Sequence, residues 1–166
     1  MVPHAREAPP AAPGAERASD AFEVALAALR RRERATVELA AWLATRGYGS
    51  EEIEATIDRL TEVGELDDER FARCYAEDKR ELRGWGAERI REALASRGIP
   101  PAHVEAALEA DSHDAQVGRA SALLARRGQS LDADADRARA LGYLTRRGYE
   151  YEVAYEAIRL AARQGG

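Results

Sequence analysis

Carboxylates that could bind a cation or move a proton occur in two places in this 166-residue sequence. Asp67 and Asp68 are adjacent, and the aspartates of 132–136 alternate with alanines as at the start of a calcium loop. The calcium pattern then stops, because Arg137 and Tyr143 occupy the sixth and twelfth positions, where such a loop needs glycine and a bidentate glutamate. Both groups fit helix N-termini, where acids satisfy free amide donors and the positive end of the helix dipole.

The other residues that often carry chemistry form no motif. The three histidines are far apart in the sequence, and Cys74 is the single cysteine, expected to pack as a small hydrophobic residue. Gly84-x-Gly86 lacks the Lys-Ser/Thr pair of a phosphate-binding loop and the strand that precedes one. The sequence therefore predicts no catalytic residue, no bound metal and no cofactor, and so a protein that is not an enzyme.

Basic side chains give a more informative pattern. Arginine pairs with phosphate and carboxylate through two parallel hydrogen bonds, so clusters of it suit a charged partner. The candidate partner-binding residues are Arg30, Arg31, Arg32, Arg34, Arg46, Lys79, Arg80, Arg83, Arg89, Arg91 and Arg97. The first three also suit the negative end of a helix. Trp85, between two of these basic runs, suits packing between structural units as well as stacking on single-stranded nucleic acid. Both alternatives stay open.

The charge is distributed unevenly along the chain. The net charge of −5 argues against a protein held to nucleic acid by overall positive charge. Residues 21–49 carry +2 and 50–69 carry −8, and basic bands return at 70–97 (+3), 116–131 (+3) and 137–149 (+4). Each band corresponds to one or two structural elements, so separate basic and acidic surfaces can form on one folded body.

Apolar residues recur at helical spacing from Phe22 onward. Ile53, Ile57 and Leu60 form one such stripe, and Phe71 and Tyr75 begin another. No stretch has the period of a strand. We expect nine helices, at about 20–33, 36–46, 50–63, 67–82, 87–97, 101–110, 114–127, 133–147 and 150–163. Asp67 is expected to cap the fourth helix and Ser50 the third.

Three segments align without gaps around Gly47, Gly98 and Gly148. In each segment a leucine stands four residues before the glycine, an arginine directly before it, and an apolar or aromatic residue directly after it. Glycine adopts the left-handed conformation that ends a helix, and the hydrophobic residue after it can fold back onto the last turn. The chain is therefore predicted to be all-α, a tandem array of three three-helix repeats with an elongated or curved body.

The predicted repeats span 20–64, 65–112 and 113–166, after a Pro- and Ala-rich tail at 1–19 that is expected to be disordered. The tail has no apolar segment of the secretory type, and no apolar run reaches the length of a membrane span. We expect a cytoplasmic protein with no membrane partner.

The segment from Ala28 to Pro101 resembles the RecX family of bacterial recombinase regulators. The most specific strings are Leu-Asp-Asp followed by Arg-Phe-Ala, and Arg-Gly-x-Gly followed by Arg-Ile. The third repeat follows the family more loosely. The residues that carry the resemblance are Gly47, Leu66, Asp67, Asp68, Phe71, Gly84, Gly86, Ile90, Gly98 and, as a weaker echo, Gly148.

The resemblance implies a protein that binds the RecA recombinase and its filament on single-stranded DNA, and that makes only weak direct contact with DNA. Such a regulator opposes filament growth and reduces ATP hydrolysis and strand exchange, and so acts on recombination, repair and the SOS response. Two alternatives remain open: a helix-turn-helix-like DNA-binding protein that acts without RecA, and a purely structural adaptor. The first two repeats are expected to carry recognition, and the third to extend the body.

Overall fold

The computed structural model describes residues 13–128 and 130–164, with side chains described from residue 20 onward. Within these ranges the chain forms nine α-helices and no strand, which confirms the predicted all-α fold. The helices are α1 (Pro13–Arg31), α2 (Thr36–Thr45), α3 (Ser50–Glu62), α4 (Asp68–Arg83), α5 (Ala87–Ser96), α6 (Pro101–Glu109), α7 (His113–Arg127), α8 (Asp134–Arg146) and α9 (Tyr151–Gln164).

The helix ends agree with the predicted ones to within one or two residues, except at the start of α1. This helix begins at Pro13, seven residues before the predicted start at Asp20. Proline is favoured at a first helical position, and the alanine, glutamate and arginine that follow are good helix formers. The helix α1 thus begins inside the segment 1–19 that is expected to be a disordered tail, and residues 1–12 of that segment lie outside the described residues.

The chain divides into two compact units, unit 1 (Met1–Asp67) and unit 2 (Asp68–Gly166). In unit 1, α3 packs along α1 and across α2. These three helices make up repeat 1. The core of repeat 1 contains Leu39, Leu43 and Leu60, all fully buried, and Leu66 closes it after α3 ends.

Unit 2 contains two further triplets of helices, repeat 2 (α4–α6) and repeat 3 (α7–α9). In both, the third helix packs along the first and contacts the second, as in repeat 1. Phe71, Ile90 and Leu94 lie in the core of repeat 2. Leu144 is buried in the core of repeat 3, together with Ile158. The three-helix repeat thus occurs three times in the described part of the chain.

Glycine ends the middle helix of each repeat, as the sequence predicts. Gly47, Gly98 and Gly148 have φ values of +88°, +77° and +87°. The residue after each glycine donates its N–H to the carbonyl of the leucine that stands four residues before the glycine. The N···O distances are 3.4 Å for Tyr48, 3.2 Å for Ile99 and 3.2 Å for Tyr149. These bonds satisfy carbonyls that a helix end would leave free.

The helix N-termini agree with the sequence in two cases and differ in one. Asp67 directly precedes α4, with Asp68 and Glu69 in its first turn, and Asp134 and Asp136 lie in the first turn of α8. The cap of α3 is Gly49 and not Ser50, because Ser50 is already helical. The Glu52 carboxylate accepts the Gly49 N–H at 2.8 Å, which is the bond that the third helical residue supplies in a capping box. No helix of the described chain is long and apolar enough to cross a bilayer.

Candidate functional site

The ends of three helices meet in unit 2. Arg83 is the last residue of α4, Arg146 is the last residue of α8, and Arg126 lies in the last turn of α7. All three side chains line one open groove of about 720 Å³. The start of α5 joins them there, because Trp85 and Arg89 line the same groove. Repeats 2 and 3 therefore each supply part of its walls.

The backbone fixes this junction. The N–H of Gly86 donates to the carbonyl of Arg147 at 2.8 Å, and the N–H of Glu88 donates to the carbonyl of Gly148 at 3.0 Å. A Cβ on Gly86 would lie 2.4 Å from the carbonyl oxygen of Gly148, and a Cβ on Gly148 would lie 2.4 Å from the backbone nitrogen of Arg89. Both glycines are required because the two main chains touch here.

We call this cleft the basic groove and define it by six cationic and two aromatic side chains. They are Lys79, Arg83, Arg89, Arg126, Arg146 and Arg147, with Trp85 and Tyr143. Glu81 is the one acidic residue in its lining, beside Leu82, Gly84 and Leu123. Among the described residues none of the six cations forms an ion pair with a carboxylate. Their positive charge is therefore available to a ligand in the groove.

Helix dipoles account for part of this charge only. Each helix C-terminus carries roughly half a negative charge, so three of them offset about one and a half positive charges. Glu81 offsets one more. About three and a half of the six positive charges remain without compensation, on the order of what a short run of phosphates or carboxylates would neutralise.

The two aromatic rings hold the cations in place. The Arg89 guanidinium lies over the Trp85 ring at 4.3 Å from its centroid, and the Lys79 ammonium at 5.3 Å. Tyr143 carries Arg147 at 4.9 Å and Arg127 at 4.2 Å. The Arg147 guanidinium also donates to the carbonyl of Arg83. A guanidinium on a ring face keeps its N–H edges for a ligand, so the groove presents donors that are already positioned.

Arg80 does not belong to this surface. Its side chain is 11% exposed and pairs with Asp111 at 3.2 Å, and its second amino group donates to the carbonyl of Ala107 at 2.8 Å. Arg119 binds the same carboxylate. Burial lowers the pKa of the Arg80 guanidinium below its usual value, and Asp111 offsets part of that effect. Arg80 is a structural residue inside unit 2 and is not placed to contact a partner.

Two other candidates of repeat 2 are also engaged within the fold. Arg91 pairs with Glu88 and with Glu105, which raises the pKa of its guanidinium and lowers the pKa of the Glu105 carboxyl. Arg97 lies over the Tyr75 ring at 5.0 Å and the Phe71 ring at 5.7 Å. Lys79, Arg83 and Arg89 are the members of the predicted set that the structure brings together in the groove.

The candidate residues of repeat 1 lie in unit 1. Arg30 and Arg31 occupy the last turn of α1 and are exposed. Arg34 and Arg46 lie over the Trp42 ring at 5.2 and 4.2 Å. Arg32 approaches Glu38 at 4.0 Å. The arginine before each repeat glycine lies over an aromatic ring. Arg46 and Arg147 use the ring four residues earlier in the chain, whereas Arg97 uses rings of α4.

Sequence reasoning missed the half of the groove that repeat 3 supplies. Arg126, Tyr143, Arg146 and Arg147 belong to the basic bands at 116–131 and 137–149, so the signal was present in the charge distribution. It was not read as a site because the two bands are separated by the acidic 132–136. No group of three or more possible metal ligands occurs in the described part of the chain.

The fold and the groove together define a class: a protein of tandem three-helix repeats with an arginine-rich groove between two of them. Comparison with known families narrows this class. Residues 21–60 match the model of the first three-helix domain of RecX, and residues 67–108 match that of the second.

Curated relatives extend the similarity to nearly the whole chain. The regulatory protein RecX of Thermus thermophilus is 38% identical over 147 residues, which are 89% of this chain and 96% of that protein. The regulatory protein RecX of Mycolicibacterium vanbaalenii is 32% identical over 152 residues, covering 86% of this chain and 83% of the relative. A crystal structure of RecX from Lactobacillus salivarius has the same fold, with a TM-score of 0.81 at 22% identity over 89% of this chain and 97% of that one. The chain belongs to the RecX family. The relatives are named as regulatory proteins and not as enzymes.

Proposed function

We propose that this chain regulates the RecA recombinase by binding RecA and its filament on single-stranded DNA. Binding slows filament growth and lowers ATP hydrolysis and strand exchange, and it thereby modulates recombination and DNA repair in the cytoplasm. Membership of the RecX family carries the proposal, since the relatives are similar over nearly their full length. The protein needs no cofactor or metal for this role, because binding alone changes the filament.

The basic surfaces of both units support the proposal. A nucleoprotein filament exposes phosphates and acidic side chains, and arginine pairs well with both. In unit 2 the contact residues are Lys79, Arg83 and Arg89, which line the basic groove. In unit 1 they are Arg30, Arg31, Arg32, Arg34 and Arg46. The repeats at 20–64 and 65–112 carry these contacts, and the repeat at 113–166 supplies the rest of the groove lining.

The direct experiment mixes the protein with RecA, single-stranded DNA and ATP. We expect ATP hydrolysis to fall and filaments to shorten as the protein is added. ATP hydrolysis and filament length that both stay unchanged at excess protein would rule out the proposal. The assay needs no variant, so its outcome does not depend on folding of a mutant.

The groove is tested by reversing charge at Arg83 and Arg89 together. The double variant Arg83→Glu, Arg89→Glu should inhibit RecA less at equal concentration, because two cations of the groove become anions. The matched control is Arg159→Glu, Arg163→Glu, which reverses two exposed charges on α9 of the same unit. Equal inhibition by both double variants, with helical content retained, would remove the groove from the contact surface.

A DNA-binding protein that acts without RecA is the second candidate, and the cationic groove is the observation that favours it. A helix-turn-helix reader inserts the N-terminal part of one helix into the major groove. The cations here are instead collected from the C-terminal ends of several helices. Sequence-selective binding to duplex DNA without RecA, with no effect on RecA, would favour the second candidate.

A further inference from the structure

The geometry points to the basic groove as a binding site for the phosphodiester backbone of an unpaired nucleic acid strand, with repeat 3 supplying half of the contacts. This inference rests on the proposed function and names the part of the filament that the groove takes. It assigns a binding role to Arg126, Tyr143, Arg146 and Arg147.

The first step of the argument is charge. The six groove cations are Lys79, Arg83, Arg89, Arg126, Arg146 and Arg147, and they exceed what three helix dipoles and Glu81 offset. None of them is paired with a carboxylate of the described chain. A ligand that neutralises several of them must carry several negative charges in a row.

The second step is the shape of the donors. Arg89 lies on the Trp85 ring, and Arg147 lies on the Tyr143 ring and donates to the carbonyl of Arg83. These contacts fix each guanidinium before a ligand arrives, so little side-chain freedom is lost on binding. Arg89 and Arg147 each use one N–H on a main-chain carbonyl, that of Arg146 at 3.4 Å and that of Arg83, and their remaining N–H groups match the paired oxygens of a phosphate.

The third step decides between an unpaired strand and other polyanions. Trp85 and Tyr143 are half-buried and line the groove, and a guanidinium lies over each ring, that of Arg89 over Trp85 and that of Arg147 over Tyr143. A base stacks on the outer plane of such a guanidinium as it does on an aromatic ring. Single-strand sites combine a cationic channel with aromatic rings on which bases stack. In a duplex the bases are already stacked on one another, and an acidic peptide has no bases to stack. An unpaired strand uses both features of the groove.

The site is also held together by the fold. The chain segments that line it approach through the hydrogen bonds from Gly86 and Glu88 to the carbonyls of Arg147 and Gly148. The cations of α4 and α5 are therefore kept beside those of α7 and α8 in one unit. Repeat 3 does more than lengthen the protein, because without it the groove loses Arg126, Arg146 and Arg147.

The test uses the intrinsic fluorescence of Trp85 in the full chain without RecA. The chain has two tryptophans, and Trp42→Phe leaves Trp85 as the single emitter. Titration with an oligothymidine should quench this emission, since a base stacks against the Arg89 guanidinium that lies over the indole. The logarithm of the affinity should fall with the logarithm of salt concentration, by about 0.7 for each phosphate contact.

The decisive variant is Arg126→Gln, Arg146→Gln, which removes two exposed groove cations that only repeat 3 provides. We expect about a tenfold loss of affinity and a salt slope smaller by about 1.4. The control Arg159→Gln, Arg163→Gln removes two exposed arginines of the same repeat outside the groove and should leave both quantities unchanged. The double variant Arg126→Lys, Arg146→Lys should keep the salt slope of the parent, which separates the effect of charge from an effect on folding.

Three results would overturn the inference: no quenching of Trp85 by the oligothymidine, equal losses in the groove and control variants, or equally effective competition by an oligoglutamate of the same charge. The last result would assign the groove to an acidic protein segment. Loss of strand binding with full inhibition of RecA would leave the proposed function intact. Strand binding without any effect on RecA would remove the proposed function while the groove remains a strand site.

Discussion

At the scale of single residues, Asp111 connects more of unit 2 than any surface charge does. Its side chain is 4% exposed and binds Arg80 of α4 and Arg119 of α7. Two guanidiniums around one carboxylate form a network that is stable as a whole, because each buried charge depends on the others for compensation. Removal of the carboxylate leaves both arginines without it.

We expect Asp111→Asn to lower the free energy of unfolding by about 3 kcal/mol, since it leaves two poorly solvated guanidiniums without their counter-ion. Urea denaturation followed by circular dichroism measures this change. The control is Asp134→Asn, which breaks an ion pair with Arg137 in which Asp134 is 99% exposed. A surface pair of this kind contributes about 0.5 kcal/mol. Equal losses in the free energy of unfolding for the two variants would show that burial of the Asp111 network does not increase its contribution to stability.

Gly148 is the second residue whose role comes from its neighbours. It has a positive φ like Gly128, but a Cβ on Gly128 would meet nothing within 4 Å, whereas one on Gly148 would meet Arg89 at 2.4 Å. Repeat 3 matches the family strings only weakly, yet Gly148 is required for the packing of unit 2. It is more confined than Gly47, where a Cβ would also have open space.

Gly148→Ala should destabilise unit 2 by about 3 kcal/mol, from left-handed strain of about 1 kcal/mol plus displacement of the α5 backbone. Gly128→Ala should cost the strain alone, about 1 kcal/mol. Chemical denaturation of both variants checks the difference. Similar losses of stability in the two variants would mean that the Arg89 backbone moves away from the new methyl group at no energetic cost.

At the scale of elements, the contact between α7 and α9 carries a titratable pair. The His113 imidazole at the start of α7 lies 3.2 Å from the Glu156 carboxylate on α9. This hydrogen bond raises the pKa of His113 above its usual value of 6.5. Because the folded pKa is the higher one, the stabilisation is fully present below 6.5 and is lost as pH rises through the folded pKa.

His113→Gln should therefore reduce stability more at pH 5 than at pH 8. The pair is exposed, so the effect is small and is best read as the difference in thermal midpoint between parent and variant at each pH. Glu156→Gln should produce the same pH dependence, because it removes the other partner. A difference that grows with pH would contradict the assignment.

At the scale of the whole molecule, the two compact units have separate cores. Leu43 belongs to the core of unit 1 and Leu144 to a core of unit 2, and both are fully buried at the same position of their repeats. Replacement of a buried leucine by alanine costs about 2–5 kcal/mol. Since the contacts of each leucine lie inside its own unit, each loss is expected there.

Hydrogen exchange of the Leu43→Ala and Leu144→Ala variants measures where protection falls. We expect Leu43→Ala to speed exchange in α2 and α3 and Leu144→Ala to speed it in α7 to α9. Each variant is the control for the other, because the substitution is chemically identical. Loss of protection throughout the chain in both variants would show that the units unfold together.

The nine helices, most of their ends and the threefold repeat could be read from the sequence alone. Helical periodicity, glycine caps and first-turn acids act over a few residues, so they can be read locally. The predicted start of α1 was too late because the prolines before residue 20 were read as a sign of disorder, whereas a proline at a first helical position favours a helix. The exposure of Arg80 was also misjudged, because its side chain is buried against Asp111, which is distant in sequence.

Only the tertiary structure decided which cations form a site. Arg147 donates to the carbonyl of Arg83 across 64 positions of sequence, and Tyr143 comes to line the same groove as Trp85. No local pattern encodes such pairs, because they arise when two helix ends pack against a third and two glycine backbones touch. Charge bands along the chain show where the arginines are, and packing decides which of them share a ligand.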